Sequence, residues 1–264
     1  MRKNILEILN SADIDIEKEY SRIYSMFYYS CEYGGTSLAS VVEKNFRKLD
    51  RRLIHRCLSL EDFNETYGYY FEVQPQNFDI DYLISFSEYV ANFVYALFRG
   101  NILNREELVK VMGHIKECIE DIGYQHVEKD AIIIFVEKNP AAIAVAEITK
   151  DDLAYSVLEY NHHKLKGDLI SKKNILKNMA DDIESYRKML NNINKNFTSN
   201  LFQLMNKFVR HDSSQDAYIS NMTSSNLEEV YDDIYQMWLL AKMQLEYSNR
   251  SKIIDELIKN INNR

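Results

Sequence analysis

The residues best suited to catalysis stand at the end of an apolar segment, where Arg210 and His211 are adjacent. An arginine can stabilise the charge that develops on a phosphate, and a histidine beside it can move the proton. This pair is therefore suited to metal-free cleavage of a phosphodiester. A structural role is the alternative, because cations also stabilise the C-terminus of a helix.

A second pair of histidines, His162 and His163, lies in a polar junction that ends at Gly167. Adjacent side chains on a helix point about 100° apart, so the pair is a poor metal site and we predict no bound metal. Either histidine can act as a general acid or base if a partner lies close to it. We predict His163 as the third catalytic residue beside Arg210 and His211.

A run of basic residues between Val41 and Leu60 is the third feature. This stretch holds six lysines and arginines and two acids, in a chain whose net charge is −8. Helical spacing would put the basic side chains on one side, where they could bind phosphates. The alternative is a solvated helix face that pairs with acidic neighbours. The predicted nucleic-acid-binding residues are Lys44, Arg47, Lys48, Arg51, Arg52 and Arg56.

The elements that position these residues are predicted to be long helices, because 264 residues contain only seven glycines and two prolines. The same scarcity leaves no material for a glycine-rich phosphate loop or a dinucleotide turn, so we predict no cofactor. Motifs of nucleophilic hydrolases, zinc proteases and kinases are also missing from the sequence.

Hydrophobic periodicity and capping residues predict a mainly α fold with one small β-hairpin near 124–137. A boundary near residue 148 separates a helical part with the hairpin, 1–148, from a helical bundle, 149–264. The predicted helices cover 17–33, 38–58, 79–99, 104–122, 140–148, 149–167, 168–194, 198–210, 227–245 and 252–261.

Targeting signals and cysteine usage favour a cytoplasmic protein. The first ten residues are interrupted by Glu7 and Asn10 too early for a signal peptide, and the longest apolar runs are too short to span a membrane. The three cysteines are spread widely and form no CxxC pair, so neither a disulfide framework nor a zinc cluster is expected.

Several segments resemble bacterial abortive-infection proteins. The segments IGYQ at 122–125 and III at 132–134 are similar to the hairpin of the AbiJ type. The segments YNHH at 160–163 and RHD at 210–212, with the helix at 227–245, resemble HEPN bundles. Together the resemblance covers about residues 104–247.

The resemblance implies a HEPN-like C-terminal bundle, a homodimer, RNA as the partner and a role in phage defence. Many HEPN domains are ribonucleases that use an arginine and a histidine four to six residues apart, whereas Arg210 and His211 are adjacent here. We therefore predict a protein that acts on RNA. If it is catalytic, we expect it to be a metal-free endoribonuclease. The alternative is a non-catalytic helical interaction protein that binds nucleic acid or an acidic partner through its basic residues.

Overall fold

The computed structural model describes residues 14–30, 35–210 and 217–262. Its contacts divide the chain into two compact units, an N-terminal unit of residues 1–137 and a C-terminal unit of residues 138–264. The predicted boundary lay near 148. The division falls earlier because the helix that begins at Pro140 places Ala142 and Val145 in the core of the C-terminal unit.

Charge is distributed unequally between the two units. The N-terminal unit contains 15 basic and 23 acidic side chains, whereas the C-terminal unit contains 17 of each. The whole net charge of −8 therefore belongs to the N-terminal unit, which is also the unit that holds the basic run.

The N-terminal unit consists of helices and one hairpin. Many of its helices begin at a side chain that caps the free N–H groups of the first turn, such as Asn104, which forms a capping box with Glu107. The helices are α1 (Ile16–Tyr28), α2 (Leu38–Asn45), α3 (Arg51–Ile54), α4 (Leu60–Tyr67), α5 (Ile80–Arg99) and α6 (Arg105–Asp121), with a 3-10 turn at Phe46–Lys48. The antiparallel strands are β1 (Tyr124–Lys129) and β2 (Ile132–Glu137).

Helix α5 lies at the centre of this unit, and α1, α2, α6 and β2 all pack against it. The core around it is largely aromatic, with ring centroids 4.9 to 5.7 Å apart where Tyr89 contacts Phe27 and Phe93. Two polar side chains of α5 bind strand β2. Glu88 accepts from the N–H of Phe135 at 2.7 Å, and Asn92 bonds both the N–H and the carbonyl of Ile133 at 2.8 Å. These bonds satisfy the outer edge of the hairpin.

The C-terminal unit is helical throughout its described part. Its elements are α7 (Pro140–Glu147), α8 (Asp151–Glu159), a 3-10 turn at His163–Leu165, α9 (Leu169–Glu184), α10 (Arg187–Ile193), α11 (Lys195–Leu204), a π-helical turn at Met205–Arg210, α12 (Ala217–Ser220) and α13 (Ser224–Asn262). Trp238 of α13 is fully buried, and its indole N–H donates to the carbonyl of Met179 in α9 at 2.9 Å.

The mainly α fold with a single small hairpin is confirmed for the described residues. Among their helices, none is long and apolar enough to cross a membrane. Several predicted helices differ from the structure. The predicted helices 38–58 and 168–194 are each broken into shorter ones, and the predicted helix 149–167 ends at Glu159. The two predicted helices 227–245 and 252–261 form one continuous helix, α13.

Candidate functional site

The basic run does not form one helical face, so that part of the prediction is wrong. Helix α2 ends at Asn45, and Asp50 begins a new helix by accepting a hydrogen bond from the N–H of Arg52 at 2.9 Å. The chain then folds back, and the side chain of Arg47 donates to the carbonyl of Leu58 at 3.3 Å. Residues 47–58 thus form a closed loop, which we call the basic loop.

The basic loop packs against the N-terminal core through three buried side chains, those of Leu49, Ile54 and Cys57. The basic side chains of the loop all point the other way, into solvent. The exposed ones are Arg47, Lys48, Arg51, Arg52, His55 and Arg56. A short loop whose ends meet keeps five permanent cations within a small area, which a single straight helix of this length would spread out.

His55 holds the turn of the basic loop in a conformation that favours glycine. Its backbone has φ 49° and ψ −117°, and the N–H of Cys57 donates to the carbonyl of Ile54 at 3.0 Å. These values define a type II′ turn with His55 in its first central position. A side chain there costs about 1–3 kcal/mol of backbone strain.

The cations of the basic run differ in what surrounds them. Asp50 binds the guanidinium of Arg52, whose hydrogen bonds lower the pKa of that carboxyl to about 2, so much of the charge of Arg52 is neutralised. Lys44 lies in a shallow pocket with three acids, Glu43, Glu61 and Glu65.

The remaining cations are less compensated. Arg47 and Arg51 donate to main-chain carbonyls, and Lys48 donates to the side-chain amide of Asn45. Within the described part of the chain, none of these three side chains, nor Arg56, is in an ion pair. The four cations free to bind an anion are Arg47, Lys48, Arg51 and Arg56.

Two exposed tyrosines each line a pocket with one cation of the basic run. Tyr67 lines an open pocket of about 440 Å³ together with His55, Arg56 and one acid, Asp62, and its ring centroid is 5.8 Å from that of His55. Tyr70 lines the pocket that also contains Lys44. Tyr67 is 45% exposed and Tyr70 is 65% exposed. Sequence analysis missed Tyr67 and Tyr70, because only the fold brings them next to residues more than ten positions earlier.

Arg210 is bound within the C-terminal unit. Its guanidinium donates to Glu184 and to the carbonyl of Ala180, both at 2.5 Å, and lies 3.8 Å from Asp181. Partial burial would raise the pKa of Glu184, but the hydrogen bond and charge of Arg210, with those of Arg187, outweigh it and hold that pKa below its ordinary value. The predicted catalytic partner, His211, lies outside the described residues.

His163 is buried in the 3-10 turn that follows α8. The two histidines do not share a helix, so the predicted 100° separation is wrong, and the rings of His162 and His163 meet edge to face at 4.5 Å. Within the described residues, Arg210 makes no hydrogen bond or ion pair with His163. Of the predicted catalytic residues, the two that the structure describes are therefore not joined by a direct polar contact.

A buried lysine lies at the centre of a charged network in the C-terminal unit. The ammonium of Lys172 lies 2.8 Å from Glu228 and 2.7 Å from Asp232, above the ring of Tyr160, whose hydroxyl also donates to Asp232. The hydrogen bond from Lys172 lowers the pKa of Glu228, whereas burial raises the pKa of Tyr160. The charge of a cation paired in this way is compensated within the unit and is not available to a ligand.

Comparison with known proteins adds no relative. No family model matches the chain, and neither the curated proteins nor the solved structures include a significant match. The resemblance to AbiJ-type and HEPN proteins therefore stays a prediction.

Proposed function

We propose that the N-terminal unit binds single-stranded nucleic acid, with RNA as the preferred form, through its basic loop and the adjacent Tyr67. The observation that carries this proposal is the grouping in one loop of four exposed cations that form no ion pair with any described residue, one of which, Arg56, lines a pocket with the exposed ring of Tyr67. Cations neutralise phosphates and aromatic side chains stack on unpaired bases, and single-strand binding proteins combine these two contacts.

The charge of the rest of the unit supports a localised site. Residues 41–60 have six basic and two acidic side chains, whereas the whole unit has eight more acids than bases. An anionic strand is therefore repelled by most of this unit and attracted to one loop, which orients its approach. Exposed Tyr67 favours a nucleic acid over an acidic peptide, because a peptide has no flat base to stack on the ring.

The test is fluorescence anisotropy with a labelled single-stranded RNA over a series of salt concentrations. Binding through four cations predicts that log K falls with log salt with a slope of about −3. The variant Arg51→Glu/Arg56→Glu should lower affinity at least tenfold at low salt and flatten the slope by about 1.4. The matched control Arg105→Glu/Lys110→Glu makes the same charge change on α6 and should leave binding nearly unchanged.

Tyr67→Ala separates a nucleic acid from other polyanions. Loss of one stacked base should weaken RNA binding by about tenfold, because stacking contributes about 1–3 kcal/mol per base, while heparin binding should not change. Equal RNA affinity in the loop variant and the α6 control would contradict the proposal. An unchanged RNA affinity in Tyr67→Ala would instead favour an acidic partner.

The endoribonuclease hypothesis is a second candidate, and its support is the adjacency of Arg210 and His211 in the sequence. The comparison of the natural protein with Arg210→Ala/His211→Ala tests it through cell toxicity and the integrity of cellular RNA. Equal behaviour of the two proteins would remove this mechanism. Homodimer formation and a role in phage defence follow from the resemblance and stay predictions.

A further inference from the structure

The pocket that contains Tyr67 is lined by residues of the basic loop and of helix α4, and it carries charges of both signs. Its volume of about 440 Å³ is within the range of sites for small ligands. The lining residues are His55, Arg56, Cys57, Asp62, Thr66 and Tyr67. Cys57 is buried and supplies an apolar part of the wall, whereas the other five side chains are polar or aromatic and at least partly exposed. We call this cavity the tyrosine pocket.

The carboxylate of Asp62 has unused capacity to accept hydrogen bonds. Its Oδ2 accepts from the N–H of Leu58 at 2.7 Å, and its Oδ1 accepts only weakly, at 3.5 Å, from the hydroxyl of Thr66. Among the described residues Asp62 forms no ion pair, although Arg56 lines the same pocket. Each oxygen of an ionised carboxylate has two lone pairs, so both oxygens keep an acceptor site for a ligand.

An uncompensated carboxylate determines which part of a nucleotide can enter the tyrosine pocket. A phosphate beside Asp62 is disfavoured, because like charges repel each other. The phosphates of a bound strand are therefore expected to stay on the exposed cations of the basic loop, Arg56 among them. A group that donates hydrogen bonds is favoured beside the carboxylate, and in a nucleotide the strongest donors of this kind are the N–H groups of the base.

The ring of Tyr67 supplies a surface on which a base can stack. Its centroid lies 4.9 Å from that of the buried Phe63 and 5.8 Å from that of His55. These two contacts restrict the orientation of the tyrosine while part of its ring stays accessible. Stacking on an aromatic side chain tolerates every base, so any discrimination between bases has to come from the polar groups of the pocket.

Guanine fits the free sites of the Asp62 carboxylate best among the four RNA bases. The Watson–Crick edge of guanine carries two adjacent donors, N1–H and N2–H, which match the two oxygens of one carboxylate. Adenine and cytosine each have a lone-pair acceptor directly beside their amino group, and uracil has one donor between two acceptors. A carboxylate repels these acceptors, so it binds the three other bases less well.

We propose that the tyrosine pocket binds one unpaired guanine of the strand, with Asp62 accepting from N1–H and N2–H and Tyr67 stacking on the base. This inference rests on the proposed function, because the cations of the basic loop must hold the phosphates on either side of that base. It adds a sequence preference to the binding of single strands, and it makes Asp62 the residue that determines this preference.

Fluorescence anisotropy of the full chain with four labelled RNAs tests this inference. Each RNA is an oligouridine with guanosine, adenosine, cytidine or uridine at one central position, so the four differ in a single base. We expect the natural chain to bind the guanosine RNA about tenfold more tightly than the other three, which is the discrimination that one bidentate contact to a base provides. Asp62→Asn should lose this preference, because an amide has one oxygen and cannot accept from both N1–H and N2–H in the same way.

Glu65→Gln is the matched control, because it removes one acid from the same helix but outside the tyrosine pocket, and it should keep the tenfold preference. Asp62→Asn retains an oxygen for the N–H of Leu58, so its affinity for oligouridine should not fall, which shows that the loop is still folded.

The base preference of the natural chain needs no variant to be measured. Equal affinity for the four RNAs, or a preference for another base, would overturn this inference and leave the proposed function intact. A guanine preference that persists in Asp62→Asn would overturn the assignment to Asp62. If the natural chain binds none of the four RNAs, the proposed function is wrong, and the guanine site is wrong with it.

Discussion

The two units use their cations in opposite ways. In the N-terminal unit no described lysine or arginine is buried, and the cations of the basic loop face solvent above an aromatic core. In the C-terminal unit Lys172 and Lys242 are buried, and each is bound by a carboxylate of the same unit. Arg210 is similarly tied to Glu184.

This difference separates cations that are available to a ligand from those that stabilise the fold. A buried cation has lost its hydration, so its carboxylate partners are needed to compensate for it. An exposed cation keeps its hydration and does not need a carboxylate partner, so it can exchange counterions for phosphates. By this criterion the basic loop, and not Arg210, is the better candidate for binding nucleic acid.

The largest effect is expected from replacing a buried cation. Lys172→Met leaves Glu228 and Asp232 without their shared partner, and because both carboxylates are partly exposed we expect a loss of about 2 kcal/mol in the free energy of unfolding. Lys177→Met is the control, because Lys177 is exposed on the same helix, and it should change stability by less than about 0.5 kcal/mol. Urea denaturation measures both. Similar midpoints for the two variants would contradict the comparison.

Arg210→Met should cost less and should show a pH dependence. The pKa of Glu184 is lowered in the folded protein, so the stabilisation from this pair is present above the ordinary glutamate pKa and is lost as pH falls through the lowered value. At neutral pH the expected loss is about 1–2 kcal/mol, because Glu184 is partly exposed.

The difference in stability between the natural protein and Arg210→Met should therefore narrow as pH falls through the lowered pKa of Glu184. Lys195→Met, an exposed change in the same unit, should run parallel to the natural protein at every pH. A gap between the natural protein and Arg210→Met that stays constant with pH would show that Glu184 is not the partner that matters.

The smallest effect concerns the turn that presents the basic loop. His55→Gly removes the strain of a side chain in a type II′ turn but adds chain entropy to the unfolded state, so we expect a net gain of about 1 kcal/mol. His55→Ala keeps the strain and should not be stabilised. Thermal unfolding distinguishes them. If both variants have the same transition temperature, the loop is not strained at this position.

Local signals in the sequence were sufficient for much of the fold. Asp79 and Asn104 both cap the helices that they were expected to begin, and the hairpin has its predicted place. The predicted helix 38–58 failed because Asp50 caps a new helix and His55 turns the chain, and both features compete with regular helical spacing. The break after α9, at Ser185 and Tyr186, contains no glycine or proline, so no signal in the sequence predicts it.

The candidate site was less predictable because its decisive contacts are distant in sequence. The cations of the basic loop were identifiable from their charge, but Tyr67 became part of the site only when α4 packed beside the loop. The adjacency of Arg210 and His211 in the sequence suggested catalysis. In the structure the guanidinium of Arg210 instead binds Glu184, 26 positions away, which only the fold brings close. Patterns of neighbouring residues cannot reveal which charges are already compensated.

The burial of Trp238 has a spectroscopic consequence. It is the sole tryptophan of the sequence, and twelve of the nineteen tyrosines belong to the other unit. Emission excited at the red edge of the spectrum therefore reports the C-terminal bundle alone, whereas tyrosine absorbance is weighted towards the N-terminal unit. A single sample thus carries two optical reporters, and their transition midpoints would coincide only if the two units unfold as one cooperative body.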